Sequence, residues 1–150
     1  MRNFEVPEAL RPLIESRKLF RIGRGGRGGG KSEMFAGNFL AEGLAEKHTF
    51  LNAREVQKSL DESVYATYEK VAFRLGVHEY FRWLKGKIIA LPTGSEYLFY
   101  GLSGNQMQSL KSIPDIDRVW LEEGQAVSDS SFEILKPTFM RNAGAQCWIS

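Results

Sequence analysis

Cysteine is almost missing from the sequence: Cys147 stands alone, so no internal disulfide can form. Histidine is nearly as scarce, and His48 and His78 are too few for a zinc cluster. Long apolar runs are missing too. The longest candidates, around Ile88–Leu91 and Tyr97–Tyr100, are strand-sized and fall short of the roughly 18 residues a membrane span needs. The opening Met1-Arg2-Asn3-Phe4-Glu5 lacks the apolar stretch of a secretory signal. Apart from one glycine cluster there is no low-complexity stretch, and there is no internal repeat. These absences predict a soluble cytosolic protein with no membrane partner, in which His48, His78 and Cys147 are structural. What is present is ordinary: 150 residues, 43% hydrophobic and 25% charged, which suits one domain around one core and excludes a disordered tail or a fibre.

Acid is locally absent as well. The net charge of +2 is too mild to name a partner. Between Glu15 and Glu33, however, no acid occurs, while Arg17, Lys18, Arg21, Arg24, Arg27 and Lys31 are all cationic. A polyphosphate or a nucleic-acid backbone suits such a segment; a solvated basic face is the alternative. Glycine occupies six of the eight positions 23–30, and a merely solvated face needs none of them.

Periodicity orders the rest of the chain. Residues 3–16, with Pro7 and Pro12, read as a short helix or an arm. Leu19–Ile22 is a short strand entering the glycines, and Phe35, Ala36, Phe39, Leu40 and Leu44 mark a helix opening at Ser32. Thr49–Leu51 reads as a strand with Asn52-Ala53-Arg54 at its end. Ser59-Leu60-Asp61-Glu62 has capping-box spacing, followed by a helix with Val64, Tyr68, Val71 and Leu75 on one face as far as Gly76. Lys87–Leu91 and Glu96–Gly101, flanking Pro92-Thr93-Gly94-Ser95, predict a hairpin. A polar loop from Ser103 to Asp115 precedes a strand over Asp117–Leu121. Ser128–Leu135 predicts a helix stopped by Pro137, and Gln146–Ile149 a last strand. Strands alternating with helices predict an α/β fold with a mostly parallel sheet covered on both faces.

Gly25-Gly26-Arg27-Gly28-Gly29-Gly30-Lys31-Ser32 fits G-x-x-x-x-G-K-[ST]. Glycines let the backbone turn its N–H groups inward around phosphates without Cβ clashes, and the following helix points its positive end at the same oxygens. Lys31 reaches the β- and γ-phosphates, and the Ser32 hydroxyl completes a Mg²⁺ shell. The pattern also turns up in glycine-rich turns, but here it follows a short strand and precedes an amphipathic helix, as the chemistry requires. Arg24 and Arg27 are extra. Either neutralises charge on a transferring phosphoryl group, contacts DNA or a neighbouring subunit, or faces solvent; Arg27, inside the loop, is the better candidate.

Val119-Trp120-Leu121-Glu122-Glu123 is an apolar strand ending in two carboxylates. In P-loop ATPases such a strand shares the sheet with the loop strand. The first acid holds magnesium, usually through water, and the second is the general base for the attacking water. Side chains alternate along a strand, but a strand end can bend both acids towards one site. The second glutamate favours ATP hydrolysis over a kinase or GTPase reading.

With these residues in view the chain resembles the large subunit of tailed-bacteriophage terminases, most closely the PBSX-type group. The resemblance rests on the Arg-bearing loop, Arg54–Leu60 leading to Asp61-Glu62-Ser63-Val64, Phe99-Tyr100-Gly101-Leu102-Ser103, Leu110-Lys111-Ser112, Val119–Glu123, and Leu135-Lys136-Pro137-Thr138 with Arg141. It covers nearly everything from residue 19 onwards. It implies a three-layer P-loop ATPase fold of the class with an added catalytic glutamate (ASCE), with a mostly parallel central sheet and a β-hairpin insertion. It further implies ATP and Mg²⁺ as ligands, Arg27 in hydrolysis, Glu122 as the magnesium-side acid and Glu123 as the catalytic carboxylate. The implied work is translocation of double-stranded DNA into a procapsid in the cytoplasm of an infected bacterium. The implied partners are the portal protein, the small terminase subunit and a ring of copies of the chain. Residues 1–150 then correspond to the N-terminal ATPase domain, ending near the family's coupling motif and without its nuclease domain. In that class the last strand lies between the loop strand and the acidic strand, which leaves Leu19–Ile22 as an unpaired edge if no further strand flanks it. Two other readings stand beside it: a module that binds nucleotide or a partner without turnover, and another DNA-dependent ATPase of helicase-like type.

Overall fold

Along the central strands of the computed structural model, which describes residues 5–26, 28, 30–56, 60–104, 107–113 and 115–150, successive side chains enter two different cores. On β2 (Thr49–Arg54), Phe50 joins one cluster and Leu51 and Ala53 the other. On β6 (Arg118–Leu121), Trp120 is divided in the same way from Val119 and Leu121, and on β7 (Gln146–Ile149), Trp148 from Cys147. Period-two alternation with both faces apolar is what a sheet buried between two helical layers demands.

One layer is α2 (Lys31–Ala45) and α3 (Ala66–Leu75), with Phe35, Phe39, Tyr68 and Val71 against the sheet. Helix α1 (Arg11–Glu15) adds Leu13 and Ile14 to that side. The other layer is α4 (Met107–Leu110) and α5 (Asp129–Met140), which bring Leu110, Leu135 and Phe139. Among the described residues seven strands lie in the order β1 (Phe20–Ile22), β7, β6, β2, β5 (Glu96–Gly101), β4 (Lys87–Ala90), β3 (Phe81–Leu84). From β1 to β5 every pairing is parallel; β4 and β3 extend the sheet antiparallel. The three-layer α/β expectation therefore holds, and β7 lies between the loop strand and the acidic strand. Among the described residues β1 pairs only with β7 and forms one edge.

Several local expectations change. The Lys87–Gly101 hairpin exists, but β5 is also a member of the parallel sheet beside β2, and a further strand, β3, is joined to β4 across Lys85-Gly86. Gly86, at φ +74°, supplies the left-handed turn. The loop from Ser103 to Asp115 contains the single turn α4. Pro137 does not stop the last helix: α5 continues through it to Met140. Proline removes one N–H donor, but Leu135, Thr138 and Phe139 are buried around it, and their packing holds the final turn in place. The expected cap at Ser59 lies outside the described residues. From Asp61 to Tyr65 the chain forms a π turn that runs into α3, which ends at Gly76 in the left-handed conformation (φ +69°).

Candidate active site

Parallel strands end together, so β1, β7, β6 and β2 deliver their C-terminal residues to one edge of the sheet, where ligands of open α/β sheets bind. Ile22 leads into the glycine loop, Ile149 into Ser150, Leu121 into Glu122-Glu123, and β2 ends at Arg54. Backbone bonds tie these ends across the sheet: Gly23 donates to the Ile149 carbonyl (2.8 Å), Ser150 to Leu121 (3.1 Å) and Glu122 to Ala53 (2.9 Å). A cleft of about 890 Å³ opens above them, and Gly25, Gly28, Lys31, Ser32, Glu122 and Glu123 all line it.

On the loop side, Gly30 caps α2 with φ +70°, and its carbonyl accepts the first helical bond from Met34 N–H at 2.9 Å. The first-turn N–H groups of α2 have no carbonyl of their own helix to bond and lie at its positive end, the usual setting for phosphate. Lys31 Nζ donates to the Gly25 and Gly26 carbonyls (2.7 and 3.1 Å), which keeps its ammonium on the loop. Gly25 and Gly28 adopt φ +153° and +83°, open to glycine at little cost. Ser32, directly after Lys31, also faces the cleft, as does exposed Arg24. Arg27 and Gly29 lie outside the described residues.

On the acidic side the strand does bend. Glu123 has φ +51° and ψ +50°, which turns the chain sharply after Glu122. Both carboxylates then meet the Arg54 guanidinium, through Nη1 to Glu122 Oε2 (3.5 Å) and through Nη2 to Glu123 Oε2. Ser63, from the π turn, donates its hydroxyl to Glu122 Oε2 at 2.8 Å. Burial holds the Glu122 carboxyl above the usual carboxylate range, while the Ser63 hydrogen bond and the Arg54 charge pull the other way.

The structure thus brings Lys31, Ser32, Glu122 and Glu123 around one cleft. Among the described residues no three His, Cys, Asp or Glu side chains group closely enough to hold a metal by themselves. That donor set suits Mg²⁺ bound with a nucleotide, because this ion keeps waters and phosphate oxygens and needs only one or two protein ligands. The Ser32 hydroxyl and the half-buried Glu122 carboxylate are the fitting pair. Sequence reasoning gave no role to Arg54, Ser63 or Thr67, all of which reach this site; Arg54 and Ser63 entered only within segments that carry the family resemblance, and Arg54 ends the strand beside the one that carries the acids. Cys147 behaves as expected, a buried thiol pushed up to about 12 by desolvation.

A glycine loop and an acidic strand end, meeting at the C-terminal edge of a parallel sheet between two helical layers, define the P-loop ATPase fold. The profile of phage terminase large subunits matches residues 17–150. The PBSX phage terminase large subunit of Bacillus subtilis (strain 168) is 30% identical over 112 residues, which cover 74% of this chain and 25% of that protein. The crystal structure of the HK97 bacteriophage large terminase superposes with a TM-score of 0.76 at 15% identity, covering 97% of this chain and 33% of that one. The large terminase ATPase domain of Thermus phage P74-26 gives 0.73 at 16% identity, covering 98% of this chain and 65% of that one. The chain belongs to the phage terminase large-subunit family. It spans a quarter of the length of its PBSX relative and a third of the HK97 chain.

Proposed function

We propose that this chain is the ATP-hydrolysing motor domain of a terminase large subunit, coupling Mg²⁺-dependent ATP hydrolysis to the movement of double-stranded DNA into a procapsid. One observation carries the reading: the loop lysine and two adjacent carboxylates converge on a single cleft in a chain of this family. The loop N–H groups and Lys31 bind the β- and γ-phosphates and stabilise negative charge as the terminal phosphoryl group leaves. Lys31 exchanges its carbonyl partners for phosphate oxygens. Glu123 accepts the proton of the attacking water, and Arg54 must release this carboxylate before it can do so. Ser32 and Glu122 would hold Mg²⁺, which when bound supplies charge neutralisation across the phosphates. Arg27 joins the loop as the hydrolysis-linked arginine.

The wider role follows the family. DNA, the portal protein, the small subunit and a ring of copies are the proposed partners, and the cytoplasm of the infected bacterium the place of work. Nucleotide binding tests the site: Lys31→Ala is expected to weaken ATP binding by at least about 100-fold, the scale on which preorganised charge acts in such sites. Wild-type affinity in that variant would remove the loop from the site. Packaging is tested by nuclease protection of DNA in the presence of procapsids and ATP. Protection that requires procapsids supports the motor, whereas ATP-driven strand separation without protection supports the helicase-like reading.

A further inference from the structure

The apolar face of α3 is plain in the sequence; the polar stripe that flanks it is not. Ser63, Thr67, Lys70 and Arg74 recur at i, i+4, i+7 and i+11, a spacing that keeps them on one stripe. Ser63 reaches Glu122 (2.8 Å). Thr67 lines the cleft, and its hydroxyl donates to the Ser63 carbonyl at 2.7 Å. Lys70 and Arg74 both bind Glu33, at 2.8 and 2.5 Å, and Glu33 follows Ser32 in the first turn of α2. One helix face therefore touches the acidic side of the cleft at one end and the loop helix at the other. The π turn at Asp61–Tyr65 is where Ser63 leaves the regular helix and meets the acid.

Among the described residues, both side-chain contacts to the Glu122 carboxylate fall on the same oxygen: Ser63 at 2.8 Å and Arg54 at 3.5 Å, each on Oε2. We propose that Ser63 is a positioning residue for Glu122, whose hydroxyl fixes the rotation of the carboxylate by engaging Oε2 and so presents Oε1 to a nucleotide-bound divalent cation. The inference rests on the magnesium-side reading of Glu122 and adds what orients it. A group that orients a ligand through a hydrogen bond acts on metal affinity, not on nucleotide binding as such.

The test titrates Mn²⁺, followed by its paramagnetic resonance signal, into the protein with ADP, and measures ADP binding separately in EDTA. Ser63→Ala is expected to weaken Mn²⁺ affinity by about 10-fold, the low end of the range for groups that orient a metal ligand. ADP binding in EDTA and the thermal midpoint should stay unchanged, and Ser63→Thr should restore the cation affinity. Wild-type Mn²⁺ affinity in Ser63→Ala would overturn the proposal. So would an equal loss of ADP binding in EDTA, which would make Ser63 merely structural. Glu122→Gln separates the two layers of the argument. If it weakens Mn²⁺ binding while Ser63→Ala does not, the positioning role alone fails; if neither variant does, the metal-side reading of Glu122 fails with it.

Discussion

Glu123 occupies a backbone conformation that costs a residue with a side chain about 1 kcal/mol, and the turn it makes is what lets two consecutive carboxylates share one arginine. Glu33 has a different task. Hydrogen bonds from Lys70 and Arg74 hold its carboxyl below the usual carboxylate range, so it binds fewer protons in the folded chain than in the unfolded one. Its contribution to stability is therefore present above the unfolded-state pKa and lost as pH falls through the lowered folded-state value. Glu33→Gln is expected to destabilise the protein near neutral pH by at most about 1 kcal/mol, since the pair is largely solvated. The difference from wild type should vanish below the carboxylate range, measured by urea unfolding across a pH series. A constant difference at every pH would mean that packing, not charge, makes the contact.

At the scale of elements, α2 presents the glycine loop at its front and is gripped at its back. Tyr97 Oη donates to the Phe39 carbonyl (2.7 Å) and Thr93 Oγ1 to Gly43 (2.5 Å), and Ser95 Oγ shares its one proton between the Gly43 and Glu46 carbonyls, 2.9 Å from each. The hairpin thus binds carbonyls in the last two turns and at the cap of the helix whose first N–H groups face the cleft. A Cβ at Gly43 would fall 2.0 Å from Tyr97 Oη and 3.1 Å from Phe50. Gly43→Ala is accordingly expected to cost about 1–3 kcal/mol by overpacking, despite the better helix propensity of alanine. A neutral or stabilising effect in denaturant unfolding would show that the hairpin yields easily. The sequence made the loop, α2 and the acidic strand legible because each is a run of consecutive residues with its own period. The roles of Arg54 and Ser63 stayed hidden because their partners lie 69 and 59 positions away and are met only once the sheet has formed. β3 escaped because Phe81–Leu84 follows directly on the short turn His78–Tyr80, with no glycine or proline immediately ahead of it to mark where a strand begins. Pro137 misled because burial around it outweighs the single donor it removes.

Across the whole molecule the two halves of the site are made by neighbours in space that are distant in the chain. The glycine loop leaves β1 and the acids leave β6, and β7, from the far end of the sequence, is inserted between them. Trp148 on β7 packs edge-on against Phe35 and Phe39 of α2, with the Arg21 guanidinium 4.7 Å from its ring centre. Gly124, directly after the acids, donates to the Ser150 carbonyl at 3.0 Å. The spacing between lysine and acids is thus a property of the sheet, and only their identities are local. Whether that spacing makes a working hydrolytic site is tested most directly by Mg²⁺-dependent ATP turnover in wild type and Glu123→Gln, with ATP binding measured on the same samples. Binding should be equal in the two proteins, while turnover should fall by about 10²–10⁴-fold in the variant, as expected for removal of a general base. Equal turnover in both proteins would contradict the assignment of Glu123, and wild-type binding without turnover would contradict hydrolysis by these residues.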